Sequence, residues 1–596
     1  MRSRTIRIGC ASAFWGDSSS AVPQLVKKGS LNYLVFDYLA EVTMSILAAA
    51  KLKNKDMGYA GDFIKHISPY LSSIKKNGIK LISNAGGLNL EACRSALQKE
   101  AEKAGVEFKI AIINGDNLKN QEEKLRKIPV SDLDTGHPMP DTIISINAYL
   151  GAVPIKRALE EGADIVITGR CVDSAVVLGP LMYEFGWSTS DYDLLASGTL
   201  AGHIVDCATQ CTGGNFTDWQ MVPGFDDMGF PILEIEKNGN FIVTKPRDTG
   251  GLINKGAVAE QLLYEIGDPR AYIVPDVVCN FAEVKIEETC HNEVKITGAK
   301  GYPPTESYKV CATFQDGYHL SIPVVIGGIK AAEKAQLIGE SIIKKTSRMF
   351  REAGYLEYTD THISILGTES IYGHNAKNLN PREVVLRLKV THSQKEALIL
   401  LSREIAHAAT GMAPGLISLL GGRQTVSPLI RLYSFLIPKN LVHITLDINS
   451  KIIPIEIPTD GGYSLQDDSS ALSFPEPSIT IEKEVPLILL AYARSGDKGD
   501  DVLIGVIARE NEFLPYIRAS LTTEVISSYF SHVLKGKVSR FEVPGISGLN
   551  FQLKHALGGG GMASLFIDSQ GKSYAQQLLD IPIGVPANIA EMVLSK

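Results

Sequence analysis

The sequence predicts an α/β protein. An N-terminal, mostly parallel sheet flanked by helices is followed by a central α+β part and a small C-terminal α+β unit. Three observations lead there. In the first 215 residues, short apolar runs rich in Ile and Val alternate with amphipathic or lysine-rich helical stretches. Strands that are apolar throughout, each followed by a helix, fit a parallel sheet covered on both faces. From about 220 to 450 the pattern turns to hairpins and longer strands, and after a polar segment a compact unit of about 110 residues begins. An open doubly wound sheet is preferred, and a (β/α) barrel would give similar local signals.

The strand candidates of the first part are "TIRIGCAS", "NYLVFDYLA", "IKLISNAGG", "FKIAIINGD", "TIISINAYLG" and "DIVITGR"; "NLEACRSALQKEAEKAG" and "PIKRALEEG" are helices between them. In the second part, "PILEIEKNGNFIVTKP" signals a hairpin around Asn238-Gly239, because Asn-Gly readily adopts the positive φ of a two-residue turn. "AAEKAQLIGESIIKKTSRMFREAG" and "SQKEALILLSREIAHAAT" are long helices. These features divide the chain into an α/β domain at 1–219, an α+β domain at 220–456, a Ser/Asp/Pro-rich linker at 457–486 and a small α+β domain at 487–596. A chain of 596 residues exceeds what one core fills, in keeping with two or three domains.

The net charge of -7 argues against a nucleic-acid binder, which needs a basic face. Eight scattered cysteines form no CxxC pair, which favours a reducing interior over a disulfide framework. The N-terminus runs straight into a strand, and no stretch approaches 18 uninterrupted apolar residues. A soluble, cytoplasmic protein without membrane or nucleic-acid partners is expected, acting on a small molecule as a homo-oligomer.

In parallel sheets ligands bind beyond the carboxyl ends of the strands. Here those ends carry "GCASAFWGDSSS", Asp37 and Glu41, "NAGGLN", "NGDN", Asn147 and "GRCVD", whereas the opposite turns "KKNG", "KAGVE" and "EEGAD" are plain. This asymmetry places a polar site on the carboxyl edge. Arg170 at a strand end is shaped for a carboxylate or phosphate. Asp173 either caps the following helix or orients Arg170. Cys171 reads as a packed residue rather than a nucleophile. Gly86 and Gly87, beside Asn84, either supply positive φ or let an anion reach backbone N–H groups, with Asn117 at the next strand end. Asn215 in "CTGGNFTDW", and Arg247 and Lys255 around "KPRDTGG", form further candidate anion contacts. The C-terminal turn "YARSGDKGDDVLIG" offers Arg494 and Lys498, either in a closed hairpin or inserted into the first domain's site. The four glycines of "KHALGGGGMAS" read as a lid or a close backbone approach.

Long segments of the chain resemble the acyclic terpene utilisation (AtuA) family. They are "NAGGLN", "INGDN", "ADIVITGRCVDSAVVLGPLMYEFGW", "ASGTLAGHIVDCATQCTGGNFTDW" and "FIVTKPRDTGGLI", and "ARSGDKGDDVLIGVIAR" resembles the small ferredoxin-like domain often attached to it. The resemblance implies a place in acyclic terpenoid catabolism, where acids are activated to CoA thioesters, carboxylated, hydrated and cleaved. A lyase or hydro-lyase on a 3-hydroxyacyl-CoA follows as the expected activity, with a non-catalytic binding or scaffold subunit as the alternative. Such cleavage needs a base and an electrophile for the forming enolate. Asp116, Asp173 or His203 is the candidate base. A divalent ion, Mg²⁺ or Mn²⁺, held by Asp17, Asp37 and Asp116, is one candidate electrophile. Arg170→Ala is expected to weaken ligand binding with little loss of stability.

Overall fold

The computed structural model describes residues 5–464, 481–561 and 563–595. The strands of the first part are β1 (Ile6–Cys10), β2 (Tyr33–Phe36), β3 (Lys80–Ser83), β4 (Ile110–Asn114), β5 (Ser145–Ala148) and β6 (Ile165–Thr168). Five of them run parallel in the order β1-β2-β3-β6-β4. Alternate residues feed two separate cores. Ile8, Val35, Ile82, Ile113 and Val166 face one, packed by the helices Val153–Glu160, Ala175–Phe185 and Tyr192–Val205. Leu34, Phe36, Leu81, Ile112 and Ile167 face the other, packed by Ala21–Lys28, Gly61–Ile67 and Leu90–Lys103. Burial on both faces is why these strands are largely apolar.

The sheet is open rather than a barrel. Strands beyond residue 219 extend it on both edges to 11 strands. β7 (Ile232–Ile235) and β8 (Phe241–Thr244) form the expected hairpin, and β7 pairs antiparallel with β1. Glu293–Thr297 and Lys285–Cys290 continue that edge, while Ile444–Ile448 and Lys451–Ile455 continue the other beyond β4.

β5 departs from expectation. It leaves the parallel sheet and pairs antiparallel with the strand Ser307–Gly327. Its sequence explains the difference: Ser145 and Asn147 alternate with apolar Ile146 and Ala148, so only one of its faces suits a core. Ser145 shares a 2.6 Å hydroxyl contact with Thr313 on the new partner. Ser307–Gly327 also pairs with Glu383–His392, Leu416–Leu419 and Ser427–Pro438. The helices Ala331–Ala353 and Lys395–Glu404 cover this second sheet.

The C-terminal unit is a four-stranded antiparallel sheet, ordered Ala491–Lys498, Asp501–Ala508, Gly548–Leu553 and Val538–Val543. It docks on the first part through polar contacts. Arg509 makes two 2.6 Å bonds to the Asp218 carboxylate, and Asn550 donates to the Ile266 carbonyl at 2.6 Å. Residues 465–480 of the expected linker lie outside the described residues. No helix among the described residues is long and apolar enough to cross a membrane.

Candidate functional site

The carboxyl ends of β2, β3, β4 and β6 bring four polar side chains together beneath one edge of the sheet. Asn84 donates to Asp37 at 2.5 Å and accepts from the Tyr38 N–H at 2.8 Å, which fixes the amide. Burial, and then the charge of Asp173, raises the Asp37 pKa well above the carboxylate range. Asp116 has no exposed surface. One of its oxygens accepts from the Arg170 backbone N–H at 2.8 Å and from Asn147 Nδ2 at 2.9 Å. Burial pushes its carboxyl up to about 6 in spite of those donors. Gly169 makes this approach possible, since a Cβ there would stand 2.3 Å from an Asp116 oxygen.

Asp116 therefore aims Arg170. The guanidinium, 4% exposed, donates to Asp173 at 2.8 Å and to the Cys171 carbonyl at 3.0 Å. It lies 4.3 Å from the centre of the Tyr149 ring, whose other close cation is Lys309 at 5.2 Å. The Tyr149 hydroxyl donates to Glu41. Burial alone would raise Glu41, but the charges of Lys309 and Arg170 outweigh it and hold the carboxylate down to about 2. Burial likewise opposes the charge on Arg170, yet Asp173, Tyr149, Glu41 and Asp37 raise its pKa overall. Arg170 Nε is buried with no partner among the described residues.

The charges of Asp173 and Glu41 also act on the C-terminal hairpin. Lys498 lies 3.6 Å from Glu265 and keeps 53% of its side chain open to solvent within a recess that protein surrounds. The recess disfavours its charge, but Glu265, Tyr272, Asp173 and Glu41 outweigh that and raise its pKa. Asp497 beside it is pushed up to about 7 by burial and by Glu265, and Lys572 lies 3.5 Å from Glu265. Arg494 stacks 4.4 Å from the Tyr264 ring and donates to Gln261 at 3.2 Å. The four-glycine loop packs closely on the hairpin turn. The Gly559 N–H bonds Asp500 at 2.6 Å, and a Cβ on Gly560 would fall 1.9 Å from the Gly499 carbonyl oxygen.

Several candidate residues have other occupations. The backbone N–H groups of "NAGGLN" are taken by protein acceptors: Gly86 by the Thr168 carbonyl, Gly87 by Asn84, Leu88 by Gly58 and Asn89 by Gly86. Gly86 and Gly87 thus shape a packed turn and offer no anion cradle. Asn117 is exposed and accepts from the Lys119 N–H at 3.1 Å. Asn215 is an exposed turn residue at φ 58. Arg247 and Lys255 are exposed, and Lys245 bonds the Thr249 carbonyl at 2.9 Å, so no anion-binding corner forms. His203 is buried, with Nε2 3.2 Å from the Leu262 carbonyl and Nδ1 3.7 Å from Asp206. Asp17 accepts from Ala13 and Ser18 N–H groups at 2.8 and 2.7 Å, closing a turn. Asp17, Asp37 and Asp116 are each taken up by a different set of donors: Asp17 by its own turn, Asp37 by Asn84, and Asp116 by the Arg170 N–H and Asn147. No group of three His, Cys, Asp or Glu among the described residues could hold a metal ion. Cys171 is buried and its thiol is pushed up to about 12 by burial, which leaves it a packing residue.

Asp173 pairs with Arg170 instead of capping the helix that follows. Sequence reading overlooked Tyr149, Lys309, Glu265 and Lys572. Lys309 carried no local signal, because it arrives through the pairing that puts its carbonyl 3.0 Å from the Tyr149 N–H.

A further buried acid lies where the two parts meet. Glu260 is fully buried, accepts from the Thr217 N–H at 3.1 Å, and is pushed up to about 7 by burial. An unfolded glutamate titrates near about 4.3. The native state thus holds this proton more tightly, and the resulting stability is full below that value and lost as pH rises through about 7. Glu260→Gln cannot ionise. Its stability relative to the parent should rise by on the order of 2 kcal/mol between pH 5 and pH 8. Urea unfolding at the two pH values measures this, and an equal difference at both would refute it.

The architecture defines a class: an open α/β sheet with a polar cluster at its carboxyl edge, followed by an appended four-stranded antiparallel domain. A family model described as acyclic terpene utilisation family protein AtuA matches residues 6–448, and one described as the AtuA ferredoxin-like domain matches residues 485–584. The chain belongs to the acyclic terpene utilisation family. No curated protein matches it. Two crystal structures of S. aureus homoserine dehydrogenase share 10% and 11% identity over 69% of this chain and 83% of theirs. Their TM-score of 0.10 carries no argument about the fold.

Proposed function

We propose that the protein is an enzyme of branched-chain, acyclic terpenoid acid catabolism, a lyase or hydro-lyase acting on a 3-hydroxyacyl-CoA. The observation that carries this reading is the buried Arg170–Asp173 pair at the carboxyl edge of the sheet, whose Asp173 charge also acts on Lys498 of the C-terminal hairpin. Asp173, with 39% of its side chain open, is the base that takes the substrate proton. Lys498 and Arg170 hold the thioester oxygen as it gains negative charge in the enolate. Asp116 touches no substrate; it positions Arg170 from behind. With the glycine-loop amides occupied, anionic groups of the substrate fall to Arg170, Lys498 and Lys572. The protein works in the cytoplasm as a homo-oligomer, on a small molecule.

A thermal-shift screen of the full chain tests the reading. A branched 3-hydroxyacyl-CoA should raise Tm, as selective binding to the folded state adds about 2.7 kcal/mol at a hundredfold excess over Kd. ATP and NAD should not. Stabilisation by a nucleotide alone would replace this reading with a nucleotide-dependent one. Saturable thioester binding without turnover would favour a binding subunit.

A further inference from the structure

A second cavity, of about 280 Å³, begins two residues beyond Tyr149, at Gly151. It shares no wall with the small space around Arg170. Its body is apolar, formed by Met182, Leu195, Pro154, Tyr308 and Ile457. Of the three charged residues in its wall, Asp460 is exposed and its charge is solvated, which leaves Lys439 and Asp276 as the more enclosed pair. Lys439 is 2% exposed and donates to the Pro275 carbonyl at 2.7 Å. Asp276 accepts from the Ala152 N–H at 2.8 Å. Gly151 leaves room for that carboxylate, since a Cβ there would lie 2.5 Å from its oxygens.

A lysine ammonium has three donors and a carboxylate about four acceptor positions, so each group keeps bonding capacity after these contacts. Burial lowers the Lys439 pKa and raises that of Asp276, and the opposite charge of each partly offsets this in the other. A ligand that brought a further charge would leave one charge uncompensated in an apolar space, at considerable cost. A hydroxyl avoids this, because it donates to a carboxylate and accepts from an ammonium without net charge. The volume lies just below the roughly 300–1,000 Å³ usual for small-molecule pockets, which suits a compact ligand.

We propose that this cavity is a second binding site, for a small apolar molecule bearing one hydroxyl group, held at its head by Lys439 and Asp276 and along its body by Met182, Leu195 and Tyr308. This inference is independent of the reaction proposed above.

Calorimetric titration of the full chain with 1-hexanol, hexanoate and hexylamine tests it. Saturable binding of 1-hexanol is expected, at least tenfold tighter than either charged analogue. Thr189→Trp, at a half-buried position in the cavity wall, should abolish binding, whereas Arg170→Ala should leave it unchanged. Lys439→Met, which keeps chain length, should remove the preference for the hydroxyl, and serves if Thr189→Trp fails to fold. No saturable hexanol binding, tighter binding of hexanoate, or binding that survives Thr189→Trp in a folded protein would each overturn the proposal.

Discussion

Arg170→Met is expected to lower turnover by about 10²–10³-fold, the usual effect of losing one donor aimed at developing negative charge. The same change should destabilise the fold by about 3 kcal/mol, because it leaves a buried charge network without its cation. Glu41 loses a cation that holds it ionised, and Asp173 loses its 2.8 Å partner. The sequence alone suggested little stability loss, but a guanidinium that is 4% exposed cannot be removed so lightly. Arg170→Lys separates the two effects. It keeps the charge but not the planar fork, so most stability should return while turnover remains depressed. Turnover and urea unfolding measured on both variants check this. Full activity in Arg170→Met would exclude Arg170 from the chemistry.

Gly169→Ala should be nearly as damaging without altering any polar group. The added Cβ would stand 2.3–2.5 Å from the three terminal atoms of the Asp116 carboxyl group. Either the carboxyl group swings away or the strand end shifts. In both cases the Arg170 N–H and Asn147 lose their shared acceptor. Overpacking of this kind costs about 1–3 kcal/mol, and an unsatisfied buried donor adds about 1–3 more. Urea unfolding gives the loss, and a stability within about 0.5 kcal/mol of the parent would show that the backbone yields freely.

The sheet was legible because burial on both faces leaves an apolar record in β1, β2, β3, β4 and β6, interrupted inside a strand only at Arg7. β5 misled because its apolar residues hid a period of two. Arg170 and Asp173 could be found from the asymmetry between the two sheet edges, since a plain turn has no use for them. Tyr149, Lys309 and Glu265 could not, because nothing near them in sequence signals what long-range pairing brings alongside. The glycines failed as guides for the same reason: Gly86 is required by the Thr168 carbonyl 2.7 Å from where its Cβ would be, a neighbour about eighty residues away in the chain. The metal triad does not assemble among the described residues because long-range pairing gives two of its carboxylates other donors, Asn84 to Asp37 and the Arg170 N–H and Asn147 to Asp116.

The most direct test is a calorimetric titration of the intact chain and of its Lys498→Ala variant with a branched 3-hydroxyacyl-CoA. Lys498 is open enough to be replaced without disturbing the core, so the variant reports on the site rather than on folding. If the C-terminal hairpin completes the site, losing this charged contact should weaken binding by about 10–100-fold. Equal affinity in the two proteins would mean that the hairpin only packs against the sheet edge, and the composite site would have to be abandoned.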